Sequence, residues 1–364
     1  MRIKGLDLLR GVAILGVLFR HSEITGKLML VGGYGVDLFF VLSGFLVSGL
    51  LFREYKERGS TSIGRFLVRR GFKIYPAFYI CIIGTVLADT FMFHNPPPVS
   101  NIITEALFWQ SYGVPLRFHT WSLSVEEHFY FILAFLIFLA LKFKYIAKPN
   151  IMIPGIIGLI LLVVSFRIQF CLQNIDAPKP FFGTHMRSDG LFMGVLLSYL
   201  WYFKPEIILS LQKQKFLFFI ALLLISHIFY VLPESMMMVT VGYNMMHLGF
   251  AFLIIVVTDP YNQKFLFENK AFKYISMVLC FVGIHSYSIY LWHMLAKDVF
   301  SGGVQPLLLN TLTFFAGAIG TGLFSSYLIE KPFMKIADRY YPRMSSQTIP
   351  VTEVTEVSPS NSAG

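Results

Sequence analysis

The sequence predicts an all-α, polytopic membrane protein with about ten transmembrane helices and both termini in the cytoplasm. Three observations predict it. Of the 364 residues, 55% are hydrophobic and only 14% are charged, too little polar surface for a water-soluble domain of this size. The apolar residues gather into ten runs, at about 8–22, 35–52, 74–93, 124–141, 151–172, 189–203, 216–232, 243–258, 276–296 and 307–329, each near the length needed to cross a bilayer. Lysine and arginine are dealt unevenly between the connections. With the N-terminus inside, 23 of the 30 fall on the cytoplasmic side and five on the other, which fixes the orientation. The net charge of +10 is therefore a matter of topology, and a nucleic-acid partner is not needed to explain it.

The first run, LDLLRGVAILGVLFRHS, carries charge at both ends. Arg10 and His21 stand eleven positions apart. At ~100° per residue that is three turns plus about 20°, so the two side chains share one face, roughly 16 Å apart along the axis. Such a stripe is costly in lipid and is expected to face the protein interior or a wet cavity. A short anchor helix with snorkelling ends is the plainer alternative. A secretory leader does not fit, since no small-residue cleavage site follows and more apolar runs do.

The second run, GYGVDLFFVLSGFLVSG, places Asp37 near its outer end and Ser43 six residues deeper, on a different face. An intramembrane carboxylate needs a partner, whereas the Ser-Gly pairs permit close helix approach. The following loop, REYKERGSTSIGRFLVRRGFKIYP, is densely basic, as a cytoplasmic edge should be. Arg69, Arg70 and Lys73 lie at the start of run three. Arg70 and Lys73 are one helical turn apart and share a face, a geometry that grips phosphate or pyrophosphate. Pro76 is expected to break or kink the start of this helix.

Run four begins in RFHTWSLSVEEHFYF. Ser124 and Glu127 have capping-box spacing, which leaves Glu126 free for other work. Trp121 fits a membrane-interface aromatic, and His128 reads as a packing or solvent-facing residue. Before run six, Arg187 and Asp189 suggest a local ion pair. In HSYSIYLWHM, Tyr290 and His293 fall on one face; His293 reads as a satisfied core histidine with a cavity-lining alternative. Glu330 and Lys331 read as a membrane-edge stop, and Met236–Met238 as loop or interface filler. Cys81, Cys171 and Cys280 lie in apolar runs and read as small packing residues, with no disulfide frame and no metal site. Residues 345–364, rich in Ser, Thr, Val and Pro, are expected to form a disordered cytoplasmic tail behind a membrane domain of residues 1–340. HExxH, CxxC, GxSxG and Walker motifs are absent, which weighs against zinc hydrolysis, elbow-serine chemistry and ATP-driven pumping.

Arg10 with His21, then LFFVLSGFL, the basic pair Arg70/Lys73, WSLSVEEHFY and YSIYLWH occur in this order. Together they make the chain resemble the acyltransferase-3 family of integral membrane O-acyltransferases, from about Lys4 to Phe333. One departure is that the basic motif ends in Lys73 where the family has arginine, which keeps the charge but loses the bidentate grip. The esterase-like domain that some members append is not in this sequence, so a stand-alone form is expected.

The resemblance implies an enzyme of the inner (cytoplasmic) cell membrane that moves an acyl group, acetyl by default, from acyl-CoA to a hydroxyl of a cell-surface or lipid-linked carbohydrate. Acyl-CoA is then a donor substrate, with no permanently bound cofactor. On this reading Arg69, Arg70 and Lys73, with Ser43, bind the donor, and Arg10 steadies it inside the cavity. His21, a side chain whose ordinary pKa lies near neutrality, acts as general base. Glu126 or Asp37 orients its imidazole. A transporter or flippase for a glycan or lipid is the alternative, since intramembrane Arg, His, Asp and Glu also mark transport paths. No inverted repeat supports it.

Overall fold

Each of the ten apolar runs is helical in a computed structural model that describes residues 3–24, 26–173, 182–233, 235–301 and 306–342. The tail expected at 345–364 lies outside the described residues. The described helices, in order, are α1 (Lys4–His21), α2 (Lys27–Gly32), α3 (Gly35–Arg58), α4 (Ile63–Leu87), α5 (Val99–Ala106), α6 (Trp121–Lys142), α7 (Pro149–Gln173), α8 (Thr184–Arg187), α9 (Asp189–Phe203), α10 (Pro205–Gln212), α11 (Leu217–Ser226), α12 (Tyr243–Thr258), α13 (Pro260–Glu268), α14 (Lys273–Ile284), α15 (Ser286–Phe300), α16 (Leu307–Ser325) and α17 (Lys331–Tyr340). No strand occurs among the described residues.

Among them, six helical segments are long and apolar enough to cross a membrane, and eight if each of two bent pairs counts once. The remaining two runs of the ten are special cases. α1 carries Lys4, Asp7, Arg10 and Arg20 within its 18 residues, so its apolar stretch is interrupted by charge. α11 has only 10 residues before a tight 3₁₀ turn.

Helix ends follow local chemistry. α3 stops at Gly59, whose φ of 72° lets its N–H reach back to Tyr55 O, a conformation costly for a residue with a Cβ. Asp259 caps α13, accepting from the Asn262 N–H ahead of Pro260 in the first turn. Pro205 starts α10 at 102° to α9; its missing N–H costs nothing at the first helical position, where no intrahelical partner is needed. α4 begins eleven residues before the expected run, so Arg65, Arg69, Arg70 and Lys73 all project from the helix itself, and Pro76 sits inside it. The run expected at 276–296 is two helices, α14 and α15, bent by 76°. At the bend, His285 Nδ1 meets Ser326 Oγ at 2.8 Å, so a side-chain pair ties down the break.

α1 lies inside the bundle, against α3, α12, α14 and α15. Its approach to α14 is set by backbone on backbone. A Cβ added to Gly283 would stand 1.9 Å from Asp7 O, and one added to Gly11 would stand 2.1 Å from Leu279 O. Only small residues allow helices this close.

Arg167, Arg187, Asp37, Asp189 and His247 form a buried ionic cluster where α3, α7, α8, α9 and α12 meet. Arg167 donates to Asp189 at 2.8 Å and Arg187 to Asp37 at 2.7 Å, and His247 Nε2 reaches Asp37 at 3.1 Å. The Arg187–Asp189 local pair expected from the sequence gives way to these cross-helix partners. With Arg167 fully enclosed and Asp189 1% exposed, each charge takes the opposite charge that packing offers. Of Met236–Met238, the last is wholly buried and belongs to the core, not to a loop.

Outside the spans, Glu105 on α5 is 1% exposed. It accepts from the Leu116 N–H at 3.0 Å and from Gln110 Nε2 at 3.4 Å, tying α5 to the loop before α6. Burial pushes its carboxyl up to about 7, only partly offset by hydrogen bonds from Thr120 and Leu116 and by Arg117.

Two outcomes are expected. Gly283→Ala should lower stability by about 1–3 kcal/mol, because the clash is with a backbone carbonyl and outweighs the ~1 kcal/mol gain in helix propensity. Thermal unfolding in detergent reads this as a lower Tm. For Glu105, the folded state holds the proton more tightly than the unfolded chain. Stability should therefore fall as pH rises from about 4.5 to about 7, by roughly 3 kcal/mol or less, and level off above. Glu105→Gln should flatten that slope in unfolding titrations.

Candidate active site

α1 brings Arg10 and His21 inward, as the helical stripe requires. Arg10 is 3.6 Å from Asp7 in its own preceding turn and borders a cavity of about 110 Å³ between α1, α3, α4, α6 and α15. The same cavity is bordered by Arg70 and Lys73 of α4, Ser43 of α3, Glu126 of α6 and Tyr290 of α15. Five residues from four helices thus join Arg10 around one space, and all but Tyr290 were singled out as donor-binding or catalytic from the sequence.

Each has a defined setting. Glu126 accepts from the Ser43 hydroxyl and, at 2.5 Å, from the Tyr130 hydroxyl. Lys73 donates to Glu330 at 3.0 Å, and Glu330 also accepts from Ser288 at 2.8 Å. Glu330, expected at a membrane-edge stop, is instead buried at the end of a π-helical turn, Ser326–Glu330, that carries it inward. Arg70 lies over the rings of Phe66, at 5.9 Å, and Tyr130, at 5.5 Å. Among the described residues no carboxylate forms a salt bridge with it, so its guanidinium keeps donors for a ligand.

Arg69 does not join the cavity. About 100° around the helix from Arg70, it donates to Ala337 O and Tyr341 O and, at 2.7 Å, to Asp338, anchoring α17. Asp37 is likewise elsewhere, in the ionic cluster with Arg187 and His247. The capping box expected at Ser124 and Glu127 does not form. α6 starts at Trp121 with no side-chain cap, Ser124 donates to Ser111, and Glu127 accepts from the Tyr75 hydroxyl. His128 packs against Thr184 at 2.7 Å.

His21 stands at the far end of the α1 stripe, beside His293 of α15. His21 Nδ1 is 3.1 Å from His293 Nε2 and 3.1 Å from Val17 O. Neither Glu126 nor Asp37 is the group that contacts this imidazole. A third ring, His119, meets His293 edge to face with centroids 4.6 Å apart. Tyr290 links this histidine group to the cavity wall. Its hydroxyl donates to His119 O at 2.7 Å and meets Ser122 Oγ at 2.5 Å, and its ring lies 5.5 Å from that of His293. His293 was legible as a buried histidine one turn from Tyr290; His119 was not singled out, and its only cue is its place just before Trp121. Among the described residues no group of three or more His, Cys, Asp or Glu could hold a metal ion.

The arrangement offers cations for an anionic ligand in the cavity, while His21, the sequence-predicted base, does not line it and stands behind Tyr290 beside His293. Comparisons with known proteins point to one reaction class. The chain is 31% identical over 321 residues to a provisionally named O-acetyltransferase of Staphylococcus aureus strain COL, covering 80% of this chain and 50% of that protein. It is 26% identical over 313 residues to the peptidoglycan O-acetyltransferase OatA of Listeria monocytogenes, covering 80% and 49%. It is 28% identical over 381 residues to the O-acetyltransferase OatA of Staphylococcus aureus strain MRSA252, covering 95% and 60%. The chain thus spans about half the length of the first of these relatives. No solved structure matches it. The family model described as an acyltransferase domain matches residues 3–331, nearly the whole membrane part, and the chain belongs to this acyltransferase-3 family.

Proposed function

We propose that the chain is a multi-pass membrane O-acyltransferase that moves an acetyl group from acetyl-CoA to a hydroxyl of a cell-surface or lipid-linked carbohydrate. The observation that carries the reading is the cavity whose wall combines Arg10, Arg70 and Lys73 with Glu126; behind its Tyr290 wall, and not lining it, stands His293, its ring 5.5 Å from that of Tyr290, with His21 beside it. The family match and the O-acetyltransferase names of the relatives support the reaction class.

The positive-inside tally supports cytoplasmic termini and ten crossings of the inner (cytoplasmic) membrane, with both bent pairs, α1 and α11 counted. In that orientation the α4 cations stand on the side where CoA is found. Arg70 grips CoA phosphates, Lys73 adds its charge beside it from its pair with Glu330, and Arg10 neutralises charge near the thioester. His21 Nε2 takes the proton of the acceptor hydroxyl as its oxygen attacks the thioester carbonyl. The carbon–sulfur bond then breaks, and the imidazolium returns the proton to the departing thiolate, so the products are the ester and free CoA thiol. Glu126, already accepting two hydroxyl donors, orders the cavity wall through Ser43 and Tyr130.

His21→Ala should abolish acetyl-CoA-dependent release of thiol and acetylation of the acceptor, while the purified protein keeps its helical spectrum and elution volume. Undiminished transfer by that variant would take His21 out of the reaction. Arg70→Ala should raise KM for acetyl-CoA about 10- to 100-fold, the loss of charge-assisted hydrogen bonds to phosphate. Arg69→Ala, whose side chain turns to α17, should change that KM less than about twofold.

A further inference from the structure

The two histidines are joined through particular ring nitrogens, and three contacts between them and the backbone fix where the protons are. His293 Nδ1 is 2.6 Å from Tyr290 O. A carbonyl oxygen only accepts, so this nitrogen carries hydrogen. His21 Nδ1 is 3.1 Å from Val17 O, and by the same argument it too carries hydrogen. Each neutral imidazole has one N–H. The remaining nitrogen of His293, Nε2, therefore presents a lone pair, and it faces the Nδ1–H of His21 at 3.1 Å. All three contacts are then attractive at once. The opposite assignment would set a bare His21 Nδ1 against the Val17 carbonyl, lone pair to lone pair.

We propose that His293 is a positioning residue for His21: its Nε2 accepts the Nδ1–H of His21, which leaves Nε2 of His21 as the bare nitrogen that takes the acceptor's proton. The inference rests on the reading of His21 as general base and adds the group that sets its tautomer. His293 is suited to the task because it is itself held. It is wholly enclosed, pinned by Tyr290 O, and flanked by the His119 ring. When His21 is protonated during transfer, its Nδ1–H points at two acceptors, the His293 lone pair and Val17 O, both in place beforehand. The proton itself shuttles only between the acceptor hydroxyl, His21 Nε2 and the departing sulfur, and His293 neither gains nor loses one.

The test pairs spectroscopy with kinetics on the full chain in lipid. In wild-type protein labelled with ¹⁵N at the histidine rings, the signals that disappear in His21→Ala identify His21. They should be those of a ring with Nδ1 protonated and Nε2 bare. A His21 ring protonated at Nε2 would overturn the proposal, and this measurement needs no His293 variant to fold. His293→Leu, which removes the acceptor, should lower kcat about 10- to 100-fold with KM for acetyl-CoA within about twofold, and should mix the two His21 tautomers. His293→Gln, which can offer a carbonyl oxygen where Nε2 stands, should recover at least about a third of wild-type kcat. Wild-type kcat and an unchanged His21 tautomer in His293→Leu would overturn the positioning role while leaving His21 as base. An inactive His293→Gln that folds as wild type would do the same. Full activity in His21→Ala would instead remove the base reading on which this one stands.

Discussion

A charge on a helix that crosses lipid has to be met by another polar group, and this requirement organises the protein more than any apolar contact does. Arg10 and His21 ride on α1, the helix enclosed by α3, α12, α14 and α15. Lys73 is met by Glu330, 257 positions later in the chain, and Arg187 by Asp37, 150 positions earlier. Breaking one such pair would strand a charge in low dielectric, a loss of roughly 3–5 kcal/mol. Satisfied pairs therefore hold their helices in register. Arg70 stands apart, cushioned on two aromatic rings with no carboxylate in salt-bridge contact among the described residues. A cation kept solvated by a cavity, and not neutralised by the fold, is the kind that has binding energy left for an anion.

The breaks in the helices serve the same end. A continuous helix from Lys273 to Phe300 would carry the α15 face along the axis of α14. The 76° bend at His285 turns Tyr287, Tyr290 and His293 towards α1 and α4 instead. The bend frees backbone groups inside the bundle, and the His285–Ser326 contact ties the broken segment to its neighbour. The π-helical turn that directly follows α16, Ser326–Glu330, carries Glu330 to the inside, where it meets Lys73 and Ser288. Close packing of α1 on α14, permitted by Gly11 and Gly283, then fixes how far His21 lies from the element that leads into α15.

What could be seen in the sequence was what depends on local periodicity. The shared face of Arg10 and His21, the apolar runs and the grouping of Arg70 with Lys73 follow from 3.6 residues per turn, and all appear in the structure. What could not be seen was which charge meets which. Arg187 and Asp189 are neighbours in sequence, yet their shown partners are Asp37 and Arg167. Proximity along the chain predicts pairing where water screens everything beyond it, and it fails where burial makes distant partners compulsory. Ser124 and Glu127 failed for a related reason. Their spacing fits a cap, but α6 begins three residues earlier, and both side chains are taken up by Ser111 and Tyr75 across the bundle. Arg69 has the same charge as Arg70 and adjoins it, and 100° of helical rotation sends it to α17 instead of the cavity.

The placing of the acids bears on why a histidine, and not a carboxylate, lies beside His21. A carboxylate there would hold the imidazole in one tautomer, as in serine hydrolases, but it would also add a permanent negative charge to the interior of a membrane bundle. Asp37 and Asp189 each need an arginine beside them to be tolerated, and Glu126 takes two hydroxyl donors. A neutral imidazole costs far less to bury. It offers one fixed lone pair, enough to orient the neighbouring ring, and the pair bears no net charge until His21 takes a proton. On the proposed mechanism the charge exists only while acyl transfer is under way, and the acceptors that would stabilise it, the His293 lone pair and Val17 O, are aligned beforehand. In an apolar medium this is a cheaper way to set a base than a standing ion pair, and it leaves the acids of the chain to balance the cations.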